Sequence, residues 1–155
     1  MITQVVTLVG VLVGALTSFL ATTMAERTRH LRVMATRWDE RKLGTYIEYA
    51  SCVKEISSTG KRARHAAKGT DEQREFLAAM EEAELRRSVL FETLVLLASP
   101  KAIEAAHEVN RVVWRELRAA RSRGSVSAEE GQELMELMNR YHQQARADLG
   151  VPHSA

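Results

Sequence analysis

The chain has 155 residues, 45% of them hydrophobic and 27% charged, with a formal net charge of +2. These values describe one modest domain and exclude a multidomain enzyme or a disordered tail. A single cysteine, Cys52, rules out an intramolecular disulfide and a cysteine-based zinc cluster. Two prolines and eight glycines in a chain rich in Ala, Leu, Glu and Arg favour an all-α fold, and 17 arginines against five lysines fit a GC-rich bacterial genome.

The charge is unevenly placed. Residues 1–25 contain no charged side chain, and all the Lys, Arg, Asp and Glu follow. At about 1.5 Å rise per residue, Ile2–Ala25 is long enough to cross a hydrocarbon core of about 30 Å with some tilt. In lipid every backbone group must be satisfied within the segment, so its many valines are forced into helix despite their weak propensity. No Lys or Arg precedes this stretch, whereas Arg27, Arg29 and Arg32 follow closely; they orient the span with its N-terminus out and its C-terminal domain in the cytoplasm, and they contact anionic lipid. The competing reading is a cleavable secretory signal ending at Thr23-Met24-Ala25. It lacks a basic n-region, and its basic charge lies on the wrong side. Within the span, Gly10 and Gly14 form a GxxxG whose small-residue ladder continues through Ser18 and Thr22, the face expected to pair two copies as a membrane homodimer; a helix that is merely rich in small residues is the alternative.

Beyond the anchor the sequence predicts a bundle over 26–150 and a short tail at 151–155. Leu31, Met34, Trp38, Tyr46, Tyr49 or Ala50, Val53 and Ile56 recur at helical spacing, so the anchor runs into a first helix. Ser57-Ser58-Thr59-Gly60 reads as its end, and Lys61–Gly69 as a basic linker. Thr70-Asp71-Glu72-Gln73 is a capping box that opens a second helix carrying Phe76, Leu77, Met80 and Leu85, densely apolar from Val89 to Ala98. Ser99-Pro100 supplies an N-cap and an N1 proline for a third helix, with Ile103, Ala106, Asn110, Val113, Leu117 and Ala120 on one face. A second capping box, Ser127–Glu130, opens a fourth helix burying Leu134, Leu137 or Met138, Tyr141 and Ala145, which Gly150 and Pro152 end. Short connections make this an antiparallel up-down bundle of four helices; a three-helix bundle with the first helix as a stalk is the alternative.

Residues with chemistry are sparse. Glu104 and His107 have the E-x-x-H spacing of di-iron bundles, but His30, His65, His142 and His153 lack a matching Glu, so a solvated or rim pair is the expectation. The chain contains no phosphate loop, HExxH, GxSxG or Cys-His pair, which argues against an enzyme and against a cofactor. Asn110 sits on an apolar face, either as a buried register-fixing group or as a rim residue. Cys52 lies off the main stripe, where a structural or merely exposed thiol is expected. Trp38, Tyr46, Tyr49 and Trp114 read as core or interface aromatics.

Residues 26–68 carry a net +6 and residues 69–155 a net −4. In an up-down bundle Lys61, Arg62, Arg64 and Lys68 meet Arg118, Arg121 and Arg123 at the membrane-distal end. That is a possible docking patch for an acidic protein or nucleic acid, although cations at helix C-termini also complement the helix dipole.

The leading uncharged span, the following ERTRHLRVMATRWDERKLGTYIEYA, a helix ending in LLASP and a closing ARADLG at Ala145–Gly150 together resemble a group of small, single-span, all-helical actinobacterial proteins of unknown function. The resemblance implies a bacterial inner-membrane setting and supplies no activity or site residue. The expectation from the sequence is a non-enzymatic, membrane-tethered adaptor or regulator with a protein-binding face; a membrane-bound sensor or nucleic-acid-proximal protein using the basic patch is the alternative.

Overall fold

The computed structural model describes residues 37–122, 124 and 128–151, and the chain divides into two units, Met1–Glu40 and Arg41–Ala155. The expected anchor, its Gly10, Gly14 and Ser18 face, and Arg27, Arg29 and Arg32 lie outside the described residues. No helix among those described is long and apolar enough to cross a membrane. Among the described residues the second unit is all-helical: α1, helical over residues 37–65 and belonging to this unit from residue 41, is followed by α2 (Asp71–Leu97), α3 (Pro100–Ser122) and α4 (Ala128–Asp148).

Contacts at the two ends set the topology. At one end Tyr46 of α1 reaches Asp148 at the close of α4, which also holds the Ser99 backbone between α2 and α3. At the other end the amide of Gln73 in α2 donates to the Ala63 carbonyl of α1, and Gly60 of α1 packs beside Met80 of α2 and Ala120 of α3. The helices therefore run up-down-up-down. Residues 41–65 of α1 belong to the bundle and are not a stalk, because Tyr46, Tyr49, Val53 and Ile56 are buried with Met80, Leu94, Val109, Val113, Leu117 and Tyr141 in one core.

The first helix does not end at Ser57–Gly60 as its composition suggests, and Lys61–His65 are helix and not linker. The hydroxyls of Ser58 and Thr59 fold back onto the Glu55 carbonyl, at 3.0 and 2.6 Å, so these poor helix formers satisfy their hydroxyls inside the continuing helix. Gly60 is there for close approach: a Cβ at this position would lie 3.3 Å from the Met80 sulfur and 3.6 Å from the Ala120 Cβ. The glycine that serves the turn is Gly69, with a φ of 78°.

The caps of α2 and α3 follow the sequence. Thr70 accepts from the Gln73 N–H at 3.3 Å, while the Gln73 side chain reaches back to the Gly69 N–H at 2.8 Å, one residue beyond the usual capping-box partner. Ser99 accepts the first helical bond of α3, from the Ile103 N–H. Ser127, the expected cap of α4, lies outside the described residues. At its other end α4 closes in a Schellman motif: Val151 N–H bonds to Arg146 O at 2.9 Å, Gly150 N–H bonds to Ala147 O at 3.2 Å, and Gly150 takes φ 67°.

The faces of α3 and α4 match their patterns. α3 buries Ala106, Asn110, Val113, Leu117 and Ala120, with Ala102, Ala105, Val109 and Val112 widening the stripe, while Ile103, expected on the same face, is half-buried. α4 buries Leu134, Met138, Tyr141 and Ala145. α2 departs from its pattern. Leu85, Val89 and Leu96 are 70%, 67% and 84% exposed, whereas Gln73, Glu84 and Arg87 are buried. The dense apolar run is not simply core. Trp38 and Trp114, expected in a core or interface, are also about half exposed.

Candidate functional site

The polar interior of α2 comes first. Glu84 and Arg87 are three residues apart and so share a helix face. Arg87 Nε and Nη2 donate to the two Glu84 carboxylate oxygens, each at 2.6 Å, in a bidentate pair. Arg87 Nη1 donates to Asn110 Oδ1 of α3. The Tyr49 hydroxyl of α1 lies 2.7 Å from the same Asn110 oxygen and 3.1 Å from the Ala106 carbonyl, and its one proton is shared between them. Three helices are thereby tied through one buried amide, so of the two readings of Asn110 the structure has the buried one. Burial opposes the guanidinium charge, but the Glu84 carboxylate beside it prevails and raises the Arg87 pKa. Burial likewise pushes the Tyr49 hydroxyl above its ordinary range, with Arg87 pulling the other way. A buried hydrogen-bonded network of this kind ties α1, α2 and α3 together at one level of the bundle.

A second polar cluster lies at the end where α1 starts. Asp148 Oδ2 accepts from the Tyr46 hydroxyl at 2.5 Å and from the Ser99 N–H at 3.2 Å, and lies 3.4 Å from Lys42 Nζ. Burial alone would raise the Asp148 pKa; the Tyr46 and Ser99 hydrogen bonds and the Lys42 charge outweigh it, and the carboxyl is held below its usual range. The Tyr141 hydroxyl donates to the Tyr46 carbonyl at 3.2 Å and its ring stands edge-on to Tyr46, which completes the corner.

Towards the opposite end, buried Glu116 accepts from the Ser57 hydroxyl at 3.3 Å through one oxygen, while its other oxygen has no hydrogen-bond partner. Burial pushes its pKa up, against the Ser57 hydrogen bond and the Arg64 charge, and the Glu130 charge adds to the rise.

The expected basic patch is drawn to one end of the bundle, but several of its members have intramolecular partners. Arg62 sits over the Phe76 ring, 5.8 Å from its centre. Arg121 pairs with Glu81 at 3.4 Å, Arg118 bonds its own helix at the Trp114 carbonyl, and Arg64 lies half-buried near Glu116. Lys61 and Lys68 are exposed, and Arg123 lies outside the described residues. Glu104 and His107 are both exposed, and His107 packs edge-on against Phe91 with ring centres 4.7 Å apart. No three His, Cys, Asp or Glu side chains among the described residues are grouped to hold a metal ion.

The feature best suited to recognition is a groove of about 540 Å³ along the seam of α1 and α2, lined by Glu48, Ser51, Cys52, Glu55, Leu85, Arg86, Val89 and Leu90. Burial pushes the Cys52 thiol up, partly offset by Arg86, and the buried residue forms part of the groove's lining. Arg86 and Glu55 pair across the groove. Sequence periodicity misses this site because α2 carries apolar residues on both of its faces. The available signal is Glu84 and Arg87, whose helical spacing marks one face while Leu85, Val89 and Leu96 mark the opposite one.

No protein-family model, curated protein or solved structure matches the chain.

Proposed function

We propose that this protein is a membrane-tethered, non-enzymatic helical adaptor that presents a protein-docking face on α1 and α2 at the inner surface of a bacterial membrane. The observation that carries this reading is the outward apolar stripe Leu85, Val89 and Leu96 on a helix that buries Glu84 and Arg87. Solvated apolar side chains aligned on one helix face mark an interaction surface, since a helix that served only its own core would turn them inward. The uncharged 1–25 segment and the arginines that follow it support the tether, its N-out orientation and contact with lipid; Gly10 and Gly14 support a homodimer through the span. Arg62 and Arg121 already have intramolecular partners, which weakens the nucleic-acid alternative.

The test is crosslinking and affinity purification of the full-length protein from its native membrane, beside a version lacking residues 1–25. A specific partner retained by the first and lost by the second is the expected result. Recovery of the protein alone from both would refute the adaptor reading.

A further inference from the structure

We propose that the α1–α2 groove receives a basic amphipathic helix from a partner protein. The inference rests on the adaptor reading and names the chemistry of its partner. Leu85 and Val89 form one apolar wall above a floor of Cys52 and Leu90, in a trough open along the seam with room for several aliphatic side chains. A helix laid into such a trough buries its residues at i, i+3, i+4 and i+7 there, and its flanks then meet the rims.

The rims are acidic. Glu48 lines the groove on the α1 side; on α2, exposed Glu82 and Glu92 do not line it but flank it along the helix, one turn before Leu85 and one turn after Val89. None of these three carboxylates makes an ion pair among the described residues. The Arg86 guanidinium is already held by Glu55 across the trough, so the groove has negative charge without a counter-charge. A second copy of this chain in an isologous contact would set these carboxylates against their own images. An anionic lipid surface would be repelled by the same rims. Lys or Arg flanking an apolar stripe supplies the missing charge and also steers the encounter.

The probes are two fluorescent helical peptides of about 18 residues with the same Leu stripe, one flanked by Lys and the other by Glu. They are titrated against the full-length chain in phosphatidylcholine nanodiscs, with empty discs as the blank. The Lys peptide is expected to bind at least about tenfold more tightly than the Glu peptide. Glu48→Lys with Glu92→Lys reverses that preference, and Val89→Asp, at a solvent-facing position, abolishes binding without altering the helical circular dichroism. Equal affinity for both peptides, or binding indifferent to Val89→Asp, overturns the proposal, as does a dimer of the full-length chain that Val89→Asp dissolves. Purification from native membrane separates this failure from that of the adaptor reading. A partner kept by both wild type and Val89→Asp sinks the groove and leaves the adaptor; no partner with either sinks the adaptor.

Discussion

Arg87 and Glu84 form a bidentate ion pair inside the bundle while Leu85, the residue directly after Glu84, points into solvent. Desolvating two charges costs several kcal/mol per ion, and their mutual attraction recovers it only with good geometry and further hydrogen bonds. Asn110 and the two-oxygen contact with Glu84 supply both. Arg87→Met leaves the Glu84 charge buried and unpaired and is expected to cost about 3–5 kcal/mol in denaturant unfolding. Adding Glu84→Leu removes the orphaned charge, and the double variant should be more stable than the single one. A double variant as unstable as Arg87→Met would show that the pair matters for something other than its charge balance.

Asp148 joins the start of α1, the α2–α3 connection and the end of α4. Asp148→Ala leaves the Tyr46 hydroxyl and the Ser99 N–H without their acceptor, and a loss of about 2–3 kcal/mol follows for charge-assisted bonds of this kind. Because its folded pKa is depressed, its contribution is complete above the ordinary carboxylate range and is lost as pH falls through the folded value. The stability gap between wild type and Asp148→Ala, followed by thermal unfolding, should therefore narrow on acidification. A gap that stays constant with pH would mean the carboxylate charge plays no part.

Glu116 has the opposite linkage. Its folded pKa is raised, so its contribution is complete below the ordinary Glu value of about 4.3 and is lost as pH rises from there through the folded pKa. Glu116→Gln keeps the acceptor for Ser57 and removes the buried charge. It should raise the melting temperature at neutral pH, with Ser57, Arg64 and Glu130 still facing the site, and the advantage should disappear near about pH 4. Destabilisation at neutral pH would show that attraction to Arg64 outweighs burial.

Gly60 tests the close approach of α1 to α2 and α3. The only contact a new methyl makes below 3.4 Å is with the flexible Met80 sulfur, at 3.3 Å. Gly60→Ala combines that small crowding with a helix-propensity gain of up to about 1 kcal/mol and should stay near wild-type stability. Gly60→Leu must displace Ala120 as well and should cost about 1–3 kcal/mol. Equal stabilities for the two variants would show that the helices can separate at this point.

Where local chemistry decides a boundary, the sequence is a good guide. Thr70 and Gln73, Ser99 and Pro100, and Gly150 all end or begin helices as their side chains and dihedral freedom require. The α3 and α4 stripes are equally legible, since each helix has one apolar face and one core to meet. Misreadings fall where tertiary contacts compete with local preference. Ser57–Gly60 has the composition of a helix end, yet Gly60 sits in mid-helix because Met80 and Ala120 approach it. α2 misleads because its apolar residues outnumber the positions its core face offers, and an ion pair occupies part of that face. Asp148 lies in the closing ARADLG segment, but that its partners are Tyr46 and Ser99, 102 and 49 residues away, can be seen only once the helices are assembled.

α2 turns its charged pair inward and its apolar stripe outward, away from the core. Unfolding of the full-length Leu85→Ser, Val89→Ser, Leu96→Ser triple variant, compared with wild type, tests it most directly. Surface substitutions usually change stability by no more than about 0.5 kcal/mol each, so the triple variant should fold cooperatively within about 1.5 kcal/mol of wild type. Loss of cooperative folding, or a cost of about 2–5 kcal/mol per site as for buried leucines, would place the stripe in the core and contradict the account.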